Sequence, residues 1–177
     1  MATTTWALDT AHSHISFSVR HMMISNVRGS FKTFEAQVTA DPTDLTDAKV
    51  SVKMDTKSID TANEDRDNHL RSGDFFEADT YPTIEFVSDS VKKLSENTHT
   101  LKGQLTIKGV TRPIELTCEI EGPAKDPWGN ERIGVAATGT INRSDFGLTY
   151  NAVLETGGVL VGDAIKLNIE LEFVKQA

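Results

Sequence analysis

The sequence is poor in cysteine and in aromatic residues, and it lacks any long apolar run. Its single cysteine, Cys118, excludes an intrachain disulfide and a CxxC-type zinc or redox pair. No stretch approaches the ~18 consecutive apolar residues of a membrane-spanning helix, so we expect no integral membrane segment. Residues 1–6 carry neither the basic nor the apolar part of an export signal, which favours a cytoplasmic location.

Positive charge is also scarce. The chain has 18 Lys and Arg residues against 26 Asp and Glu residues, a formal net charge of −8 at pH 7. No basic cluster offsets this balance, so neither nucleic acid nor an anionic lipid surface is an expected partner.

The motifs of common catalytic and metal sites are missing as well. The sequence contains no GxSxG nucleophile elbow, no HExxH zinc motif and no phosphate-binding glycine loop. Cys118 lies in an alternating apolar row, where burial raises the pKa of a thiol and makes it unreactive. We therefore predict no catalytic residue, no metal site and no cofactor.

The sequence does contain apolar residues at every second position. The 177 residues are 38% apolar, enough for one domain over residues 1–177. Such alternation gives each strand one apolar and one wet face, which is typical of antiparallel sheets. The clearest rows lie at 15–21, 50–54, 101–107, 114–120, 133–141 and 165–173.

About eight strands are predicted, including one across Gly29–Ala40 that we expect to bend near Lys32–Thr33. Several runs are longer than the usual 5–6 residues, and long strands with one apolar face must close or double over to hide it. We therefore predict an all-β fold, an extended antiparallel eight-stranded barrel. Such a barrel can hold side chains or one small ligand. The low aromatic content of 7% favours a cavity over a filled interior.

One short helix interrupts the strands. Thr61 and Glu64 fit a capping box and Gly73 is a stop signal, so we predict a helix at about 62–72. Phe75 and Phe76 follow it and could anchor it over one mouth of the barrel. The apolar segment at 150–162 suggests a mouth, a lid or a subunit contact, or equally a loop tucked onto the core.

The inward rows predict the ligand-binding residues. The wall is predicted to comprise Ile15, Phe17, Val19, Val52, Met54, Leu105, Ile107, Leu116, Val135, Leu167 and Ile169. The candidates for a mouth or plug are His21, Phe31, Phe75, Phe76 and Phe146. Because these rows contain no Lys or Arg, a buried diphosphate would lack a counter-charge. We expect a neutral head group such as a quinone, or a charged head group left at the mouth.

Three histidines invite other interpretations. His12 and His14 lie two residues apart, so on one strand they would share a face and form half of a metal site. That face is the wet one, which favours a surface role. His21 has inward parity at the end of its row. It could be a polar group at one end of the tube, an ordinary core or rim histidine, or an acid–base group.

The chain resembles the YceI-like proteins, also described as polyisoprenoid-binding or lipid-binding. The strongest similarity lies in Arg66-Asp67-Asn68-His69-Leu70-Arg71-Ser72. Further matching motifs occur at 6–9, 12–13, 17–21, 29–31, 58–61, 74–76, 81–84, 103–113 and 142–148. The resemblance implies a lipocalin-like barrel whose tunnel holds a long isoprenoid or another amphiphilic chain, such as a quinone tail or a fatty amide. It also implies a possible homodimer, and it supplies no catalytic residue. Many relatives are exported, and this chain differs from them in its first residues.

Three hypotheses follow. The first is a non-enzymatic protein that binds, transports or sequesters a long-chain isoprenoid-like lipid. The second is an enzyme acting on a lipid-like substrate with His21 as the acid–base group. The third is a stress or interaction protein whose barrel is packed with its own side chains.

Overall fold

The computed structural model describes residues 4–22, 24–41, 43–151 and 161–176. The strands are β1 Thr4–Leu8, β2 His14–His21, β3 Ser25–Phe31, β4 Phe34–Asp41, β5 Asp44–Asp55, β6 Ile59–Asp60, β7 Thr83–Lys93, β8 Thr98–Ile107, β9 Val110–Lys125, β10 Glu131–Asn142 and β11 Val161–Lys175. The α-helix in the described part is α1, Glu64–Arg71, and short 3-10 turns lie at Thr10–His12, Thr56–Ser58 and Arg143–Phe146. No helix within the described ranges is long and apolar enough to cross a membrane.

The strands form a closed antiparallel barrel. The hydrogen-bonded order is β1-β4-β5-β7-β8-β9-β10-β11-β2-β3-β6, and β1 also pairs with β11, which closes the ring. β1 and β2 lie end to end along β11, because Trp6 faces Lys175 and His14 faces Glu170. β3 and β4 likewise act as one strand, since β3 pairs with β2 and β4 pairs with β1. The barrel therefore has eight strands, which confirms the predicted architecture.

The predicted bend in the second of these composite strands is present. β3 ends at Phe31 and β4 begins at Phe34, with a bend at Lys32–Thr33 between them. Both Phe31 and Phe34 consequently pack with the core, although they are three residues apart.

The two ends of the barrel differ. We call the end that carries α1, the 3-10 turn at Arg143–Phe146 and the tight β8–β9 turn the helix end. In that tight turn Lys108 and Gly109 both have positive φ, 51° and 76°, the conformation that suits the strand twist in a two-residue hairpin. The turn end is the opposite one, where β7 connects to β8 and β9 connects to β10.

The helix begins two residues later than the predicted capping box requires. Asn63, and not Thr61, is the N-cap: its Oδ1 accepts the backbone N–H of Arg66 at 3.0 Å. Ala62 has φ of 63°, so the chain reverses between Thr61 and the helix. Thr61 instead donates its backbone N–H and its hydroxyl to the buried carboxylate of Asp67. The prediction of a helix was correct, and its cap was wrong.

Candidate functional site

An elongated apolar cavity of about 250 Å³ runs through the barrel interior. Its wall includes Trp6 and His99 near the turn end, and Leu70, Phe75 and Phe146 at the helix end. All eight strands around the barrel contribute inward side chains to it. The interior is therefore not filled by the protein's own side chains, contrary to the packed-barrel hypothesis.

The structure brings nearly all of the predicted site residues together on this wall. The cavity is lined by Ile15, Phe17, Val19, Phe31, Val52, Met54, Phe75, Phe76, Leu105, Ile107, Leu116, Val135, Phe146, Leu167 and Ile169. The strand residues among them share one origin, the alternation that turns every second residue inward, whereas Phe75, Phe76 and Phe146 reach the cavity from turns at the helix end. That these side chains contact a ligand stays a prediction.

His21 is not among the residues that line the cavity. It is the last residue of β2, and Met22 directly after it has φ of 53°. His21 still belongs to β2 and pairs with Val161 of β11, which does line the cavity, so it has inward parity but lies beyond the end of the lined wall. This removes the acid–base group of the enzyme hypothesis from the cavity lining, and contact of His21 with a ligand at the mouth stays a prediction.

A second correction concerns positive charge, because Arg143 lines the cavity. Arg143 is only 5% exposed, and its guanidinium donates to the backbone carbonyls of Leu148 at 2.6 Å, Gly162 at 2.9 Å and Val161 at 3.4 Å. Burial lowers the pKa of Arg143, and the nearby charge of Asp163 opposes that shift. The premise that the interior lacks a cation, from which we expected a neutral head group, is therefore wrong.

Aromatic side chains cover the helix end. The rings of Phe31 and Phe76 meet edge to face, with centroids 6.2 Å apart. His69 on α1 contacts the rings of Phe75 and Tyr150 at 5.1 Å and 4.9 Å. Leu70 of α1 lines the cavity beside them, so this helix covers one end of the barrel, as the sequence indicated. The rest of the apolar segment around Tyr150, residues 152–160, lies outside the described residues.

The turn end holds polar groups that the sequence reasoning missed. Trp6 and His99 are 1% and 4% exposed and both line the cavity. Within the described part of the chain, neither Trp6 Nε1 nor His99 Nδ1 has a hydrogen-bond partner. His99 continues the inward row of Leu101 and Leu105 by one step, so the alternation could have identified it.

The only cysteine offers no nucleophile. Cys118 lies on β9, is 3% exposed and faces the cavity. Burial raises its pKa to about 11, so the thiol stays protonated at neutral pH. The structure thus places Cys118 where the sequence predicted it.

A charged cluster lies outside the cavity, near the start of β2. Arg132 Nη1 donates to Asp9 Oδ2 at 2.8 Å and to Glu172 Oε2 at 2.9 Å, while its Nε donates to Asp126 at 2.7 Å. His12 Nδ1 also lies 2.8 Å from Asp9 Oδ2, and the hydrogen bonds from His12 and Arg132 lower the pKa of Asp9 to about 2.

This cluster is an ion-pair network. The ligand atoms of Asp9, His12 and Glu172 lie within 4.8 Å of one another, a spacing that could hold a metal ion. Arg132 already supplies the positive charge that these carboxylates require. His12 belongs to a 3-10 turn and His14 to β2, so they do not share a strand face, and both side chains are exposed, as the favoured surface role requires.

A closed antiparallel barrel with an elongated apolar interior defines a class of proteins that can enclose a chain-like guest. The YceI-like domain family matches residues 6–173, and the chain belongs to that family. A UPF0312 protein of Staphylococcus aureus is 42% identical over 171 residues, which cover 96% of this chain and 97% of that protein.

Solved structures share the fold. BcnA of Burkholderia cenocepacia superposes with a TM-score of 0.82 at 25% identity, covering 93% of this chain and 98% of BcnA. A polyisoprenoid binding domain from Saccharophagus degradans superposes with a TM-score of 0.72 over 98% of this chain and 99% of that domain. At 15% identity, the second likeness establishes the fold alone.

Proposed function

We propose that this protein binds a long-chain, isoprenoid-like lipid inside the barrel and carries or sequesters it without chemical change. The observation that supports this most directly is the continuous apolar cavity between Trp6 and Phe146. The description of a structural neighbour as a polyisoprenoid binding domain points to the same class of ligand.

The shape of the cavity favours a slender, long guest. Each methylene removed from water contributes about 0.8 kcal/mol, so a chain of about 20 carbons gains on the order of 15 kcal/mol. Association costs about 4–15 kcal/mol. Affinity should therefore depend steeply on chain length, and short chains should bind poorly.

The chemistry of the wall supports a binding role over catalysis. The residues described as lining the cavity include no carboxylate, and their one thiol is the protonated Cys118. The other sequence-based expectations, a homodimer in the cytoplasm with a quinone as one candidate ligand, remain predictions. Light scattering of the purified protein measures its oligomeric state.

Organic extraction of the purified protein, followed by mass spectrometry, tests the proposal. We expect a long-chain lipid in the extract at a near-stoichiometric amount. Leu105→Arg, which places a charge on the buried wall, should lose the lipid, whereas Val87→Arg should retain it because Val87 is 56% exposed on the neighbouring strand. The proposal is wrong if the extract is empty and the delipidated protein binds no C20 chain.

If Leu105→Arg does not fold, Leu116→Phe provides a milder change. Leu116 is 4% exposed on the wall, and a larger side chain there reduces the space for a guest. Lipid retained undiminished by a folded variant of either kind contradicts the assignment of the wall.

A further inference from the structure

Among the described residues, two buried polar atoms at the turn end of the cavity lack a hydrogen-bond partner. Trp6 Nε1 can only donate a hydrogen bond, and within the described residues nothing accepts it. His99 Nδ1 is in the same situation 93 positions further along the chain. Both side chains are more than nine-tenths buried and line the same apolar cavity. Because nearly all buried polar groups in proteins are paired, two such atoms in one cavity point to a partner from outside the chain.

The strand register places these two residues on opposite walls at the turn end. Trp6 lies beside Val38 on β4, and β4 leads through β5 and β7 to β8, which carries His99. His99 lies next to the β7–β8 turn, where it faces Cys118 across the β8–β9 ladder. Trp6 lies near the last residues of β11, whose Lys175 it faces. Both positions are therefore at the end of the barrel that is remote from α1.

The protonation of His99 decides what its free nitrogen can do. Burial lowers the pKa of His99, and the charge of Lys93 lowers it further, so the ring is neutral at pH 7. A hydrogen bond with the backbone of Asn97 opposes this shift. A neutral imidazole carries its one proton on either ring nitrogen, and the tautomer with the proton on Nε2 leaves Nδ1 free to accept a hydrogen bond.

We propose that Trp6 and His99 form a recognition site for a neutral head group that accepts one hydrogen bond and donates another, and that this group is the hydroxyl of a long-chain alcohol. The inference rests on the proposed lipid-binding function and specifies the ligand's polar end. The hydroxyl oxygen accepts the indole N–H of Trp6, and the hydroxyl proton is donated to Nδ1 of His99.

This assignment sets the orientation and the selectivity of the ligand. Its polar end lies at the turn end, and its chain extends towards Phe146 and α1. A quinone or an ether offers acceptors only, so either would satisfy Trp6 and leave His99 unpaired. A diphosphate would bring charge to an end of the cavity whose two polar side chains, an indole and a neutral imidazole, carry none.

Three probes with the same C20 isoprenoid chain test the site: geranylgeraniol, its methyl ether and the parent hydrocarbon. We expect the delipidated protein to bind the alcohol about tenfold more tightly than the ether, the difference made by one buried hydrogen bond. His99→Leu should abolish this preference. Val91→Ala, a change on the same wall without polar atoms, should weaken both ligands equally and leave the ratio unchanged.

A spectroscopic measurement gives an independent readout. The chain has two tryptophans, and Trp128 is 80% exposed, so Trp128→Phe leaves the emission of Trp6 alone. Binding of the alcohol should move this emission to longer wavelength, because the indole N–H gains an acceptor, whereas the hydrocarbon should not move it.

The outcomes separate the two proposals. If none of the three probes binds, the lipid-binding function itself is wrong. If all three bind equally, or if His99→Leu keeps the preference for the alcohol, the barrel binds lipid and the head-group site is wrong. An unchanged Trp6 emission on saturation with geranylgeraniol also overturns the site.

Discussion

Replacing Arg143 by methionine tests whether this buried arginine holds the helix end of the barrel together. Its guanidinium joins the turn that contains Leu148 to the first residues of β11 through three backbone carbonyls, of which that of Val161 also accepts from Asn151. Methionine has a similar apolar stem and no donor, so the substitution removes these hydrogen bonds while keeping most of the packing.

The magnitude follows from the geometry. The bonds to Leu148 and Gly162, at 2.6 and 2.9 Å, are short and charge-assisted, whereas the bond to Val161 at 3.4 Å is long. Two hydrogen bonds to a charged group contribute about 3–6 kcal/mol together. Part of this is returned because the variant no longer buries a charge, so we expect a net loss of about 3 kcal/mol. For a chain of this length, that corresponds to a fall in Tm of roughly 6–12 °C.

Thermal unfolding followed by circular dichroism measures the effect. Arg112→Met is the matched control, because Arg112 is exposed and its one described hydrogen bond, to Thr111, is long at 3.4 Å. We expect the control to change stability by less than about 0.5 kcal/mol. The Tm of Arg143→Lys should lie between those of the two variants, since an ammonium group keeps the positive charge but cannot donate in several fixed directions as a planar guanidinium does. Equal Tm values for Arg143→Met and Arg112→Met would refute the reasoning.

Two further predictions concern ionisation. Cys118 should resist a thiol reagent in the native protein and react fully in denaturant, because it is buried and its pKa is raised to about 11, whereas Val87→Cys should react at once on the exposed face. Rapid labelling of native Cys118 would contradict the cavity wall. The pKa of Asp9 is lowered to about 2 from 3.8, so its contribution to stability is complete above pH 3.8 and is lost as the pH falls towards 2. Asp9→Asn should therefore be less stable than the native protein at pH 5 and equal to it near pH 2 in urea titrations, and a constant difference would disprove the linkage.

The sequence predicted the barrel because alternation is a local signal. Rows such as 133–141 and 165–173 show which side chains share the apolar face whatever the strand pairing, and eight such strands hide that face when the sheet closes or doubles over. The bend at Lys32–Thr33 was visible for the same reason, since Phe31 and Phe34 have opposite parity and are both apolar.

Alternation does not say where a strand stops, and the errors lie at strand ends. One row runs one step too far, because His21, the last residue of β2, lies beyond the residues that line the cavity. Stopping another row at Ile141 omitted Arg143, which continues the inward parity into the 3-10 turn. The sequence could not predict that Trp6 and His99 lie at the same end of the barrel, because this depends on the register of all the strands between them.

Two glycines in the barrel strands, Gly29 and Gly103, each lie against the ring of a phenylalanine. A Cβ added to Gly29 would lie 2.5 Å from the ring of Phe17, and one added to Gly103 would lie 2.5 Å from the ring of Phe86. Each phenylalanine ring therefore packs against a glycine of the adjacent strand, in space that a side chain at that glycine would occupy. A side chain at Gly29 would displace the ring of Phe17, and one at Gly103 would meet both the ring of Phe86 and the carbonyl oxygen of Val87. The two glycines thus make room for large rings on the cavity wall, and a bulkier residue at either position would disturb that lining.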